Sequence, residues 1–195
     1  CGYFKEYDHD LAPEERLQFA PDETPPPFDP AKQPSPPDAQ WSEERLTKAA
    51  RNYAMEYCRN GIRELTGIIA RERALAIGQR AARLTGLQQY KYMADAMGCI
   101  DGDVADAARF LEAAFEGMGD AVTLSVGADW RTATVRQDRL RIVRGISGSD
   151  RDDLLSCWIE LWRGAVNSHR AFMEVDVQAD GDGLVWDLSP HAVAD

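Results

Sequence analysis

Nine of the ten prolines in this 195-residue chain fall within its first forty residues. Proline removes a backbone donor and fixes φ, so a stretch such as PDETPPPFDPAKQPSPP at 21–37 excludes helix and favours extended polyproline geometry. The chain therefore divides into an extended acidic arm, residues 1–40, and one domain, residues 41–195, long enough to bury a real core. Nine acids against three bases put −6 of the net −11 on the arm, and −5 remains on the domain. The aromatic residues Tyr3, Phe4, Tyr7, Phe19 and Phe28 dot the arm. Aromatic side chains give large contact area at low entropic cost, so these five are the expected anchors to a partner protein.

The charge balance argues against nucleic acid, whose phosphates need a basic stripe, and against docking on anionic lipid headgroups. No window of about eighteen apolar residues is present, so no stretch reads as a membrane-spanning helix. The four cysteines, Cys1, Cys58, Cys99 and Cys157, form no CxxC pair and no metal-ligand spacing, so no metal or cofactor is expected. Cys1-Gly2 resembles the processed N-terminus of a bacterial lipoprotein. That resemblance implies a lipid anchor on Cys1 and a periplasmic or cell-surface location. An N-terminal nucleophile of the kind used by Ntn hydrolases and a truncation point are the competing readings.

Beyond Trp41, Ser42 followed by Glu43 and Glu44 is a helix start. Helical spacing then carries Leu46, Ala50, Tyr53 and Tyr57 up to Gly61, and a second run reaches Thr85-Gly86, as one kinked helix or two packed ones. Residues 103–117 form a further helix. Short β-branched runs at 121–126, 131–136 and 139–146 predict an antiparallel meander. A helix led by Asp150, Asp152 and Asp153 follows, with an apolar stripe of Leu154, Trp158, Leu161, Trp162 and Ala165, and with His169 at its C-terminal end. FMEVDVQA and GLVWDLS, joined by Asp180-Gly181-Asp182-Gly183, make a last hairpin. The expected fold is α+β, with N-terminal helices on one face of an antiparallel sheet.

The stretch LLSCWIELWRGAVNSHRAFMEVDVQADGDGLVWDLS resembles the C-terminal half of the superfamily of small TRAPP tethering subunits and bacterial 4-vinyl-reductase domains. Cys157 and Arg163-Gly164-Ala165 carry the helix match, Gly181-Asp182 the turn, and Ile77-Gly78 with Thr85-Gly86 the upstream helix, over about residues 60–189. The likeness implies a TRAPP-like fold and, in one form, a homodimer through the helices. Val177 and Leu184-Val185 stand near the places where vinyl-reductase-type domains carry cysteines, so that thiol or metal chemistry is not implied here. Aminothiazoline-carboxylate hydrolase-like proteins share the order of helices then hairpin, and no catalytic residue carries over from them.

Other chemistry is sparse. Asp176, Gln178, Asp180, Gly181 and Asp187 follow calcium-loop spacing loosely, but their flanks read as strands. His9 lies between Asp8 and Asp10 on the arm. Cys58 with His169 is a conceivable tertiary dyad, though a helix-capping histidine is the simpler reading of His169. Cys58, Trp158 and Trp162 are placed to line an apolar pocket. The expected function is a non-catalytic accessory subunit, lipid-anchored through Cys1, that docks on a larger membrane-associated or periplasmic complex through its arm. The alternative is a small-molecule enzyme or sensor with an apolar ligand.

Overall fold

A computed structural model describes residues 7–16, 18–19, 21–24, 27, 29–32, 41–100, 102–169 and 173–190. The chain separates into two units, Cys1–Trp41 and Ser42–Asp195. Within the first, short 3-10 turns form at Pro13–Glu15 and Pro30–Lys32.

In the second unit, Ser42 is extended and its Oγ accepts from Arg45 N at 3.3 Å, which starts α1 (Glu43–Ile68). Gly61 does not interrupt this helix. The break comes at Ile69, which is extended, and Ala70, which also leaves the helical region (ψ 131°), and α2 (Arg71–Met97) continues through Gly86 to a left-handed Gly98. Asp103 caps α3 (Val104–Met118) by accepting from Asp106 N at 2.6 Å, and α3 ends at Gly119 with φ 89°. Strands β1 (Ala121–Val126) and β2 (Ala133–Asp138) form a hairpin. After α4 (Gly148–Asn167), the last hairpin is β3 (Met173–Asp180) and β4 (Gly183–Pro190).

The four strands form one antiparallel sheet in the order β1-β2-β4-β3, so the last strand inserts beside β2. The fold is α+β, with α3 packed on β1, β2 and β4, α4 on β3, and α2 against α4. Alternation along the two central strands decides the faces: Ala133, Val135 and Gln137 of β2 and Leu184, Trp186 and Leu188 of β4 are buried. Phe115 of α3 fills the layer above them, 5.3 Å between ring centroids from Trp186 and 5.2 Å from Trp162 of α4.

Residues 139–146 depart from expectation. They form a 3-10 turn at Arg141–Val143 in place of a third meander strand. Arg139 takes a left-handed conformation (φ 55°), which ends β2, and Asp120 Oδ1 then accepts from Arg141 N at 2.8 Å. Leu140, Ile142 and Val143 are buried, so their alternation with arginine marks an anchored turn.

Asp120 also anchors a buried polar chain. Trp186 Nε1 donates to Gln137 Oε1 at 3.1 Å, and Gln137 Nε2 donates to Asp120 Oδ2 at 2.6 Å. Indole can only donate, so the direction of the chain is fixed and Asp120 must accept at both oxygens. Asp120→Asn turns an amide donor toward one of its own donors and should cost about 2 kcal/mol. Burial raises the Asp120 pKa, partly offset by the hydrogen bonds from Arg141 and Gln137. The native state thus holds this proton to higher pH than the unfolded chain does. Wild-type stability is therefore highest at and below the ordinary carboxylate range and falls as pH rises through the window above it, a dependence that Asp120→Asn loses. Thermal melts of both proteins across that window measure the effect.

Candidate functional site

The site is assembled from three helix ends. At the end of α2, the left-handed Gly98 turns the chain back, and Cys99 N donates to Ala94 O at 2.9 Å, which pins a buried Cys99 against the helix. One turn into α3 stands Asp106, with its carboxylate fully buried. Its Oδ2 accepts from Gly102 N at 3.1 Å, and its Oδ1 accepts from Arg109 Nη2 at 3.4 Å. At the end of α4, His169 N donates to Val166 O at 2.9 Å, and this final turn directs the ring inward.

His169 Nε2 lies 3.3 Å from Asp106 Oδ2, with both residues buried. A carboxylate only accepts, so Nε2 is the donor in this contact. His169 is therefore a buried partner of α3 and not a helix cap. Tyr90 of α2 stands edge-on to it, at 6.0 Å between centroids, and edge-on to Phe110 at 5.0 Å.

These residues line a cavity of about 260 Å³. Buried Ala94, Cys99, Asp106 and His169 form its floor, and exposed Leu87, Lys91, Asp95 and Ile100 its rim. Ser168 lies between, its single hydroxyl proton shared between Leu87 O and Gly164 O, each at 3.3 Å. A histidine oriented by a carboxylate can move a proton, and a thiol in the same cavity supplies a nucleophile.

Apart from His169, which lies in the cavity, the residues singled out in the sequence lie elsewhere. Cys1, Tyr3, Phe4 and Phe28 fall outside the described residues. Tyr7 and Phe19 are exposed, Phe19 at 88%. Trp158 and Trp162 meet edge to face at 5.4 Å and belong to the buried core, whereas Cys58 is exposed on α1. The three do not come together in the cavity described above. Neighbouring groups partly desolvate the Cys58 sulfur and push its thiol pKa up although the residue as a whole is exposed, and burial does the same at Cys157, where the Ser156 hydroxyl offsets it in part. Raised thiol pKa values disfavour the thiolate and so count against a nucleophile at either position.

The calcium-like run is a hairpin whose acids have other partners. Asp180 pairs with Arg136, and Asp187 accepts from Thr134 Oγ1 at 2.6 Å. On the arm, His9 Nδ1 lies 2.8 Å from Asp8 Oδ1. Thr85-Gly86 and Arg163-Gly164-Ala165 face each other where α2 crosses α4: a Cβ on Gly86 would lie 2.7 Å from Ala165 N, and one on Gly164 3.0 Å from Arg83 Cα.

The chain matches no protein-family model and no curated protein. Cys99, Asp106 and Tyr90 were not singled out in the sequence. One signal was present: Asp106 is a carboxylate flanked by alanines early in the largely apolar ADAARFLEAAF, where a charge turned toward the core must find a buried partner.

Proposed function

We propose that the domain is a small-molecule enzyme or sensor whose ligand occupies the cavity between α2, α3 and α4. The observation that carries this reading is the buried His169–Asp106 pair on the floor of a cavity that also holds a buried thiol. Paired titratable groups in a cleft are the usual mark of a site where protons move. At about 260 Å³ the space falls below the roughly 300–1,000 Å³ of drug-sized sites, so the ligand is a small molecule and not a large cofactor.

In the catalytic form, Asp106 orients His169, and His169 takes the Cys99 proton as sulfur bonds to an electrophilic carbonyl carbon. The proton passes to the leaving group, and water then releases the acyl product and restores the thiol. Iodoacetamide alkylation of the full chain, read peptide by peptide, tests this: Cys99 should react about tenfold faster than Cys157. Equal, slow reaction of the two would remove the site.

A second reading, an accessory subunit that docks on a larger assembly, is favoured by the exposed aromatic and aliphatic surface. Only Met55 of the 26-residue α1 is buried, while Tyr53, Tyr57 and Ile68 are more than three-quarters exposed. On the arm Phe19 is available in the same way. Light scattering on purified full chain checks this: the reading expects self-association or a co-purifying partner, and a clean monomer contradicts it.

A further inference from the structure

The turn at Arg141–Val143 is rich in arginine. Arg139, Arg141 and Arg144 from this segment and Arg151 from α4 line an open groove of about 610 Å³, with Asp182 at its edge. The chain has eighteen arginines, four lysines and a net charge of −11, so acids are plentiful elsewhere. Arg71 pairs with Asp153, Arg83 and Arg163 with Glu160, and Arg136 with Asp138 and Asp180.

The groove is different. Arg139 and Arg144 meet no carboxylate within ion-pair distance among the described residues. Arg141 gives Nη2 to Asn52 Oδ1 at 2.9 Å, and Arg151 reaches the exposed Asp152 only at 4.0 Å. The fold holds these groups in place. Buried Leu140, Ile142 and Val143 anchor the segment, Arg59 Nη2 donates to Arg144 O at 2.7 Å, and the left-handed Arg139 leaves its side chain exposed. Arg151 stands in the first turn of α4, so the positive end of that helix borders the groove.

We propose that this groove binds a small molecule bearing a phosphate or diphosphate group. Four guanidinium groups, of which Arg139 and Arg144 have no carboxylate within ion-pair distance among the described residues, suit a multiply charged anion, and their planar forks match phosphate oxygens two at a time. The site is separate from the cavity: one borders the C-terminal end of α3 at Gly119 and the other its N-terminal end at Gly102 and Asp106, on the order of 20 Å apart along the helix.

Calorimetric titration of the full chain with inorganic pyrophosphate, beside inorganic phosphate, tests the assignment. One equivalent of pyrophosphate should bind, more weakly as salt rises, and Arg144→Gln should weaken binding about tenfold or more. Arg136→Gln, an exposed arginine outside the groove, should leave it unchanged. Arg151→Gln gives the same reading should Arg144→Gln fail to fold. Absence of binding at millimolar pyrophosphate, unchanged affinity in the groove variants, or an equal loss in Arg136→Gln would overturn the proposal. Tighter binding of a short single-stranded oligonucleotide than of pyrophosphate would overturn the small-molecule assignment.

Discussion

Gly164→Ala should destabilise the domain by about 3 kcal/mol, the upper part of the range for overpacking, and lower its melting temperature by roughly 10 °C. The helices α2 and α4 touch backbone to backbone, and a methyl group on Gly164 would strike Arg83, with its carbonyl carbon 2.9 Å away. No side chain can give way there, so the whole crossing must open. Gly86 sits in the reciprocal position, against Leu161 O and Ala165 N, and Gly86→Ala should behave alike. Gly61→Ala is the control. A Cβ at Gly61 meets nothing within 4 Å, and alanine in an open helical position should stabilise by about 0.5–1 kcal/mol. Denaturant unfolding of the three variants measures both signs, and similar losses in all three would contradict the close crossing.

Gly86 also shows where the sequence misled. Local pattern marked Thr85-Gly86 as a helix end, because glycine often closes a helix. In the structure the residue lies in mid-helix, and its small size serves a crossing with a segment nearly eighty positions away. Gly61 was read as an interruption, and α1 passes through it. Residues 139–146 alternate apolar and basic side chains as a strand does, but Asp120, a distant carboxylate, folds them into a turn. By contrast, the helix caps at Ser42 and Asp103, the β1–β2 pair and the last hairpin follow from local signals, and these were legible. The cavity was not. His169 was visible as a histidine at a helix end, but the groups around it come from two other helix ends, with Asp106 63 positions away.

Asp106→Ala should cost about 3 kcal/mol, because it strands two donors at once: the buried His169 ring and Gly102 N. Asp106→Asn should cost less, about 1 kcal/mol, since its amide oxygen can still serve His169 and Gly102 while its NH2 turns toward the half-exposed Arg109. The order of the two variants matters more than either value. Equal and small losses in both would mean that Asp106 does not hold His169. A stability loss alone, however, would suit a purely architectural pair.

The separation of architecture from chemistry lies in the thiol. Cys99 and Cys157 are both buried, but only Cys99 lies in the cavity with His169. The decisive measurement is the pH dependence of iodoacetamide alkylation at Cys99, in the wild type and in His169→Gln, with Cys157 as the internal reference. The cavity account predicts that wild-type Cys99 reacts near neutral pH, and that His169→Gln slows it about tenfold there and moves its profile toward alkaline pH while Cys157 is unaffected. A Cys99 profile identical in the two proteins, and as slow as that of Cys157, would contradict the account.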